Sequence, residues 1–466
     1  MHIQFLGAAQ QITGSCYFLD TGAEKILVDC GMYQERKYLA RNWDPFPVPL
    51  AEIDYLLLTH VHLDHSGLIP KAVRKGFSGK IILIDASSDL FSLMLEDSAR
   101  IQEEDAAYKK KRHKKEKRKG PYPVVPLYTV EDVERSYEFL ESVPYGKELT
   151  LSDDLRVCFY DAGHILGAAM IEIQVKKNGS WRRILFSGDI GQRNKPLVHD
   201  PAVFDRADFV IMESLYGNRL HQDPMNVEDM LCNIINETAK AGGNVIIPTF
   251  AVERAQEILF YLGRLVRKKR IPYMMIFLDS PMAVDATAIF QMHKSYLDDD
   301  VQMLLKQGKE PFQFTGLRFV RSVHESKEIN TIKGSHIVLA GSGMCTGGRI
   351  KHHLVQNISR ENSTILFVGY QAPGTLGRQI TDGKEHVRIH GQTHPVRARI
   401  EQIHGFSGHA DRDGLLEWIF SLQHPPRKVF LTHGELESAQ SLAGRIKKAK
   451  GWPVAIPQYL QKFDLM

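Results

Sequence analysis

A cluster of histidines directly after an apolar run constrains this chain more than any other feature of its sequence. The segment THVHLDHSG, residues 59–67, follows the run YLLL at 55–58 and holds three histidines and one aspartate within six positions. An apolar run of this kind predicts a buried β-strand, so the polar residues fall in the loop at its carboxyl end. Imidazole and carboxylate groups at this density are typical of a metal site.

The spacing within the cluster predicts two metal ions. Alternate positions after a strand can direct side chains to opposite sides of a narrow cavity, so we expect His60 and His62 to bind one ion and Asp64 and His65 to bind the other. The five cysteines are scattered and form no C-x-x-C pair, so the remaining ligands must be histidines or carboxylates. These donors suit zinc, and manganese suits the same set.

Three other segments offer the missing ligands. Each places a polar residue just after a strand-like run: His164 in DAGHILGAAM, Asp189 in FSGDIG and His433 in LTHGE. Asp189 can bridge both ions through its two oxygens, and Asp29, after KILV, is placed to orient a ligand imidazole. A single histidine after a strand is more often a hydrogen-bonding group than a metal ligand. Each of these candidates is therefore supported only in combination with the others and with the histidine cluster.

The length of the chain predicts more than one structural unit. A chain of 466 residues exceeds what one hydrophobic core usually fills. Between 209 and 395 strand, loop and helix patterns alternate, which predicts a parallel α/β sheet with ligands near the carboxyl ends of its strands. We therefore expect an α/β protein with a first domain at 1–208, an inserted domain at 209–395 and a return to the first domain at 396–466.

Composition and charge narrow the function classes. No apolar run approaches the roughly 18 residues of a membrane span, and the N-terminus resembles a first strand rather than a signal peptide, so we expect a cytoplasmic protein. Net charge is only +4, yet residues 109–119 contain nine Lys or Arg residues and one Glu. Such a run attracts polyanions such as nucleic acid, although a solvated surface segment explains it equally well.

Together these motifs resemble a known family. The series that resembles motifs one to four of the metallo-β-lactamase fold is Asp29, HVHLDH, His164 and Asp189. Glu213 in ESLYG, His409 in GFSGHAD and His433 in LTHGE resemble motifs A, B and C of the β-CASP subgroup, whose members are nucleases. The resemblance implies a four-layer αβ/βα sandwich with an inserted β-CASP domain. Within the subgroup, the chain is similar to short bacterial and archaeal ribonucleases related to the pre-mRNA 3′-end cleavage nuclease.

The resemblance also implies a reaction. It predicts a ribonuclease that binds two zinc ions and hydrolyses single-stranded RNA in RNA processing or decay, with Asp64, Glu213 and His409 as catalytic residues. His409, supported by Glu213, is expected to protonate the leaving ribose oxygen. Internal cleavage and 5′-exonuclease action both stay open, as does a homodimer. The alternatives are a DNA-directed nuclease and a hydrolase of another ester or thioester.

The inserted region contains candidate substrate-binding residues. The loop GSGMCTGGR lies between a strand pattern and a helix pattern, where backbone N–H groups can approach a phosphate, and Ser342, Thr346 and Arg349 add donors. Arg254 and Arg378 lie at the start of apparent helices and are further candidates for contacts to the nucleic-acid backbone. Either arginine is equally compatible with an ordinary surface charge.

Overall fold

The chain forms two compact units. The structure, a computed structural model, describes residues 1–116, 122–221 and 227–465, so the predictions for 117–119 of the basic run lie outside the described residues. Unit 1 comprises Met1–Asn194, His199–Leu220 and Gly408–Met466, and unit 2 comprises Lys195–Val198 and His221–Ser407. The predicted domain limits, at 208/209 and 395/396, lie N-terminal to the corresponding junctions of these units.

Unit 1 contains two seven-stranded sheets. The first has the spatial order β22 (Lys462–Asp464), β1 (His2–Phe5), β2 (Tyr17–Asp20), β3 (Lys25–Val28), β4 (Tyr55–Leu57), β5 (Lys80–Ile84) and β6 (Leu140–Val143). The second has the order β21 (Val454–Ala455), β20 (Lys428–Thr432), β11 (Phe209–Glu213), β10 (Ser180–Phe186), β9 (Ala169–Lys177), β8 (Leu155–Asp161) and β7 (Leu149–Ser152). From β3 to β6 the neighbouring strands are parallel. Their Val, Ile and Leu residues are buried, as expected for a parallel sheet that is covered on both faces.

The two sheets of unit 1 pack face to face through aromatic side chains. The rings of Phe5 in β1 and Phe430 in β20 lie 5.2 Å apart. Tyr17 in β2 packs 5.8 Å from Phe186 in β10, and its hydroxyl donates to Thr432 Oγ1 at 3.1 Å. The helices of this unit are α1 (Leu63–Ser66), α2 (Ile69–Arg74), α3 (Asp85–Glu116), α4 (Val130–Ser136), α12 (Arg412–Phe420) and α13 (Leu436–Lys450). Because α3 packs on β5 and β6 and α13 on β20 and β21, the layering is that of the predicted αβ/βα sandwich.

Unit 2 is built around one parallel sheet. Its spatial order is β14 (Leu317–Phe319), β13 (Met275–Leu278), β15 (His336–Ala340), β12 (Val245–Pro248), β16 (Thr364–Phe367) and β19 (Arg399–Gln402). A separate hairpin joins β17 (His386–Ile389) to β18 (Gln392–Pro395). The helices are α5 (Val227–Lys240), α6 (Arg254–Arg267), α7 (Pro281–Met292), α8 (Asp299–Lys306), α9 (Val323–Glu328), α10 (Ile350–Asn357) and α11 (Leu376–Thr381). The strand–loop–helix alternation read from the sequence therefore does form a parallel sheet. None of the described helices is long and apolar enough to cross a membrane.

Candidate metal centre

The seven predicted metal ligands converge in unit 1. They form two groups of donor atoms: His60, His62, His164 and Asp189 in the first, and Asp64, His65 and His433 in the second. Within each group the donor atoms lie within 4.8 Å of one another. The segment after β4 of the first sheet and the loops after β8, β10 and β20 of the second sheet supply these residues.

The first group brings three imidazoles around one point. His62 Nδ1 lies 3.1 Å from His60 Nε2 and 3.2 Å from His164 Nε2. Asp189 Oδ2 lies 3.3 Å from His60 Nε2 and 3.6 Å from His164 Nε2. Nitrogen lone pairs and a carboxylate oxygen at these distances surround a position suited to a single cation.

The second group uses the other oxygen of the same carboxylate. Asp189 Oδ1 lies 3.3 Å from His65 Nε2 and 3.6 Å from His433 Nε2. Asp64 Oδ2 lies 3.5 Å from His433 Nε2. Because the two oxygens of Asp189 face different groups, this one side chain has the geometry to bridge two cations.

Hydrogen bonds behind the cluster fix which ring nitrogens face inward. His65 Nδ1 donates to Asp29 Oδ2 at 2.7 Å, and the backbone N–H of Thr59 donates to the other oxygen of Asp29. His164 Nδ1 donates to the carbonyl of Gly408 at 2.9 Å. Since the Nδ1 atoms are engaged, His65 and His164 present Nε2 to the centre. The sequence identified Asp29 but not Thr59 or the Gly408 carbonyl. Thr59 could have been found from its position directly before the histidine cluster. No sequence pattern marks the Gly408 carbonyl.

The backbone around the centre adopts conformations that few residue types accept. Asp29 and His433 have φ of 60° and 45°, in the left-handed region that is unfavourable for residues other than glycine. At Gly31 a Cβ atom would lie 1.6 Å from the carbonyl oxygen of Asp64, so only glycine fits there. Asp29 and Gly31 let the chain after β3 contact the segment after β4.

Burial and charge give His62, His164 and Asp189 the protonation states that bind metals. Burial, followed by the neighbouring His60, lowers the pKa of His62 to about 3, and burial also lowers the pKa of His164. Burial opposes ionisation of Asp189, but the charges of His433 and His65 outweigh it and hold the pKa of Asp189 well below its ordinary value. Neutral imidazole and ionised carboxylate are the metal-binding forms. At His65 and His433 burial opposes protonation, but the charge of Asp189 outweighs it and raises the pKa of both rings.

Buried polar atoms without hydrogen bonds test whether this cluster fits a cation. Among the described residues, Asp189 Oδ1 and both ring nitrogens of His433 are buried without a hydrogen-bond partner. Such atoms are rare in native proteins because leaving them unsatisfied is costly. Cations held by the two groups would satisfy Asp189 Oδ1 and His433 Nε2, so the residues present fit two divalent ions with nitrogen and oxygen ligands.

Glu213 and His409 form a pair beside the two groups. Glu213 Oε1 accepts from the backbone N–H of Ile190 at 2.6 Å and lies 3.2 Å from His409 Nδ1. Burial opposes protonation of His409, yet the charges of Glu213 and Asp189 raise its pKa to about 9. The His409 side chain is 18% exposed, whereas that of Glu213 is fully buried. A protonated imidazole held in this way is suited to give up a proton in a reaction at neutral pH.

The predicted substrate-binding loop lies in unit 2, between β15 and α10. Ser342 Oγ accepts from the backbone N–H of Thr346 at 3.1 Å and therefore helps to shape the loop. The guanidinium of Arg349 donates to Asp279 at 2.7 Å and to the carbonyl of Arg321 at 2.6 Å. Arg349 is thus a cross-link between the loop and the end of β13, and its predicted role in binding substrate stays a prediction.

The other two candidate arginines are found in different surroundings. Arg254 begins α6, and its side chain is 13% exposed and 3.1 Å from Glu257. Arg378 lies in the first turn of α11 and pairs with Asp382 at 2.7 Å on the surface. A contact to the nucleic-acid backbone stays a prediction for both.

Comparison with known proteins places this geometry in a family. Residues 10–144 match the metallo-beta-lactamase superfamily, 255–380 the Beta-Casp domain, and 393–457 a "Zn-dependent metallo-hydrolase RNA specificity domain". Ribonuclease TTHA0252 of Thermus thermophilus is 39% identical over 98% of this chain and 99% of its own length. The chain belongs to the β-CASP family of the metallo-β-lactamase superfamily.

Other relatives agree with this assignment. An RNase J-like protein of Methanocaldococcus jannaschii is 30% identical over 98% of this chain and 97% of its own length. Transcription termination factor FttA of Methanosarcina mazei is 31% identical over 96% of this chain and 69% of its own length. A solved structure of a protein of unknown function from Enterococcus faecalis has the same fold, with a TM-score of 0.57 and 11% identity over 100% of this chain and 99% of its own. The predicted family, fold class and metallo-hydrolase activity of this β-CASP protein are confirmed.

Proposed function

We propose that this β-CASP protein is a metal-dependent ribonuclease that hydrolyses phosphodiester bonds of single-stranded RNA in RNA processing or decay. The observation that carries the proposal is the pair of donor groups sharing Asp189, with Glu213 and His409 beside them. RNA as the substrate is supported by two relatives named for ribonuclease activity and by the RNA specificity domain at 393–457.

Two zinc ions are the proposed cofactors, and manganese suits the same donors. The proposed ligands are His60, His62, His164 and Asp189 for one ion and Asp64, His65, His433 and Asp189 for the other. When bound, two such ions supply a water that is deprotonated near neutral pH and neutralise charge that develops on a phosphate. Elemental analysis of the purified protein measures both the identity and the number of the ions.

The residues of the chain have separate tasks in this proposal. Asp29 and the Gly408 carbonyl hold the rings of His65 and His164 in the orientation that binds metal. His409 donates a proton to the ribose oxygen that leaves phosphorus, and Glu213 orients its ring and favours its protonated form. Without that proton, the leaving oxygen would depart as a strongly basic alkoxide.

The test uses metal-loaded protein and 5′-labelled single-stranded RNA. We expect His62→Ala to lose the ion of its own group, and activity with it. His409→Ala is expected to retain metal and to lose roughly 10²- to 10⁴-fold in turnover, which is the usual contribution of a general acid. The exposed His424 gives a matched control, and His424→Ala should behave as wild type. Intact RNA alongside hydrolysis of a thioester would instead support a different hydrolase of this superfamily.

Two further substrates resolve what the sequence left open. Only an endonuclease can cut a closed circular RNA, whereas a 5′-exonuclease requires an end. A DNA strand of the same sequence separates a ribonuclease from a DNA-directed nuclease. If the RNA and the DNA strand are cleaved at equal rates, the proposed substrate becomes single-stranded nucleic acid in general.

A cytoplasmic location is part of the same proposal. All five cysteines are free thiols. Thiols stay reduced in the cytosol, whereas oxidising compartments favour disulfides. The possible homodimer stays a prediction.

A further inference from the structure

The basic run identified in the sequence lies on the outer half of the longest helix of unit 1. Helix α3 extends over 32 residues, Asp85–Glu116. Its buried residues all lie in the first half, and the last of them is Ala99. The part of the helix from 103 to 116, here called the arm, contains no buried residue. At a rise of 1.5 Å per residue, the arm continues for about 20 Å beyond the packed part of the helix.

The packed half of α3 is fixed to the fold at both of its ends. Near the start, Ser87 Oγ donates to the carbonyl of Gly167 at 2.7 Å, in the loop that also carries His164. Near the end, Tyr128 donates to Ser98 Oγ at 2.9 Å, and Gln102 accepts from the backbone N–H of Leu127. The arm is therefore a continuation of an anchored helix, and its tip lies about 44 Å along the helix axis from Ser87.

The cations of the arm surround the helix axis. Residues 109–116 read KKKRHKKE, with six Lys or Arg residues and one Glu. Successive residues of a helix are 100° apart, so six cations in two turns leave no neutral face. Two ion pairs lie within the arm, Lys109 with Asp105 at 3.5 Å and Arg112 with Glu116 at 2.8 Å. In the described part of the chain, the other four lysines of the run form no ion pair; they are Lys110, Lys111, Lys114 and Lys115.

The chemistry of the arm favours RNA over an anionic membrane. A helix that binds a membrane surface needs a broad apolar face, and the arm has none. Its large exposed side chain is Tyr108, which is 66% exposed and lies directly before the basic run. An aromatic ring beside several cations is the combination that binds single-stranded nucleic acid, through base stacking and phosphate contacts.

We infer that the arm is a second RNA-binding element, which holds the phosphate backbone of the substrate strand far from the metal centre. The inference rests on the proposed ribonuclease function. At roughly 3.4 Å per stacked nucleotide, a strand needs about 13 nucleotides to span the length from Ser87 to the tip of the arm. Long RNA therefore engages the arm, and an oligonucleotide of a few residues at the metal centre does not.

The experiment measures RNA affinity against salt concentration. The test variant carries Lys110→Gln, Lys111→Gln, Lys114→Gln and Lys115→Gln, since glutamine has a helix propensity close to that of lysine. His409→Ala is added to every protein to prevent cleavage. The matched control carries Lys75→Gln, Lys147→Gln, Lys176→Gln and Lys462→Gln, which remove the same charge from exposed positions of unit 1 outside the RNA specificity domain.

The salt slope is the slope of the logarithm of the binding constant against the logarithm of the salt concentration. For a single-stranded 30-mer, loss of four phosphate contacts should reduce the magnitude of this slope by roughly three. Between about 50 and 200 mM salt, the control protein should then lose about 50-fold more affinity than the test variant. Tyr108→Ala should weaken binding without changing the salt slope. A tetranucleotide should bind the test variant and the control equally.

Equal salt slopes for the test variant and the control would overturn the inference, as would binding of the arm to anionic phospholipid vesicles in place of RNA. Circular dichroism checks that the helix persists in the test variant. Because these measurements need no turnover, failure of the inference is separate from failure of the ribonuclease proposal, which would appear as uncut RNA with the metal-loaded wild-type protein.

Discussion

Asp189 is the residue on which the proposed pair of ions depends. Its two oxygens face different groups of histidines, so removal of its charge should weaken both metal positions. We expect Asp189→Asn to retain less than one ion per chain, whereas His62→Ala, which changes one group only, should retain about one. Elemental analysis after gel filtration measures this difference. As a control, Asp382→Asn on the surface of unit 2 removes the same charge and should leave the metal content unchanged. If the Asp189 and His62 variants lost equal amounts of metal, Asp189 would not bridge the two positions.

His62 should make the metal-free protein sensitive to acid. Its folded pKa, about 3, lies below the ordinary value of 6.5 because burial penalises the charged ring. The neutral ring therefore contributes stability fully above pH 6.5, and this contribution disappears as the pH falls towards 3. In this window His62→Gln should lower the slope of unfolding free energy against pH by about 1.4 kcal/mol per pH unit, the effect of one proton. Urea unfolding at several pH values measures the slope, and the exposed His424→Gln should leave it unchanged.

At the scale of elements, Asp279 connects three parts of unit 2. It follows β13 and is fully buried, and it binds Arg349 at 2.7 Å and His353 of α10 at 2.6 Å. Asp279→Ala would remove the buried carboxylate that binds Arg349 and the buried ring of His353, which should cost about 3–5 kcal/mol of unfolding free energy. The exposed ion pair of Asp285 with Arg321 gives a control, because Asp285→Ala should cost less than about 1 kcal/mol. Similar losses in urea unfolding for both variants would show that Asp279 is not the main connection.

The elements also show which parts of the site a sequence can reveal. Each strand end that carries a ligand was predictable, because an apolar run followed by a polar residue is a local pattern: Leu57 precedes the histidine cluster and Phe186 precedes Asp189 by a few positions. Partners from distant parts of the chain were not predictable. The Gly408 carbonyl that orients His164 is 244 residues away, and no local pattern marks a backbone oxygen.

Arg349 illustrates the same limit for long side chains. Its position at the start of a helix suggested a phosphate contact, and its hydrogen bond to Asp279, 70 residues away, became visible only in the fold. The length of α3 is a related case. The basic run was visible in the sequence, but its continuity with an anchored helix was not, because the run itself has no buried face.

At the scale of the whole molecule, metal binding should stabilise one unit selectively. All seven proposed ligands lie in unit 1, and a ligand stabilises the folded state that binds it. Chelation should therefore increase hydrogen exchange at the ends of β4, β10 and β20 and leave the central strands of unit 2 unchanged. Hydrogen exchange with mass spectrometry of metal-loaded and metal-free protein measures this. Uniform loss of protection across both units would contradict a local effect, and zinc added back should restore the original pattern.

The order of strands in the second sheet has a consequence for protein synthesis. β11 and β20 are neighbours, with Glu213 opposite Thr432, yet nearly all of unit 2 is translated between them. A nascent chain that has left the ribosome only as far as unit 2 lacks both His409 and His433. Hydrolytic competence therefore arrives late in translation, after the segment that carries these two histidines has been synthesised.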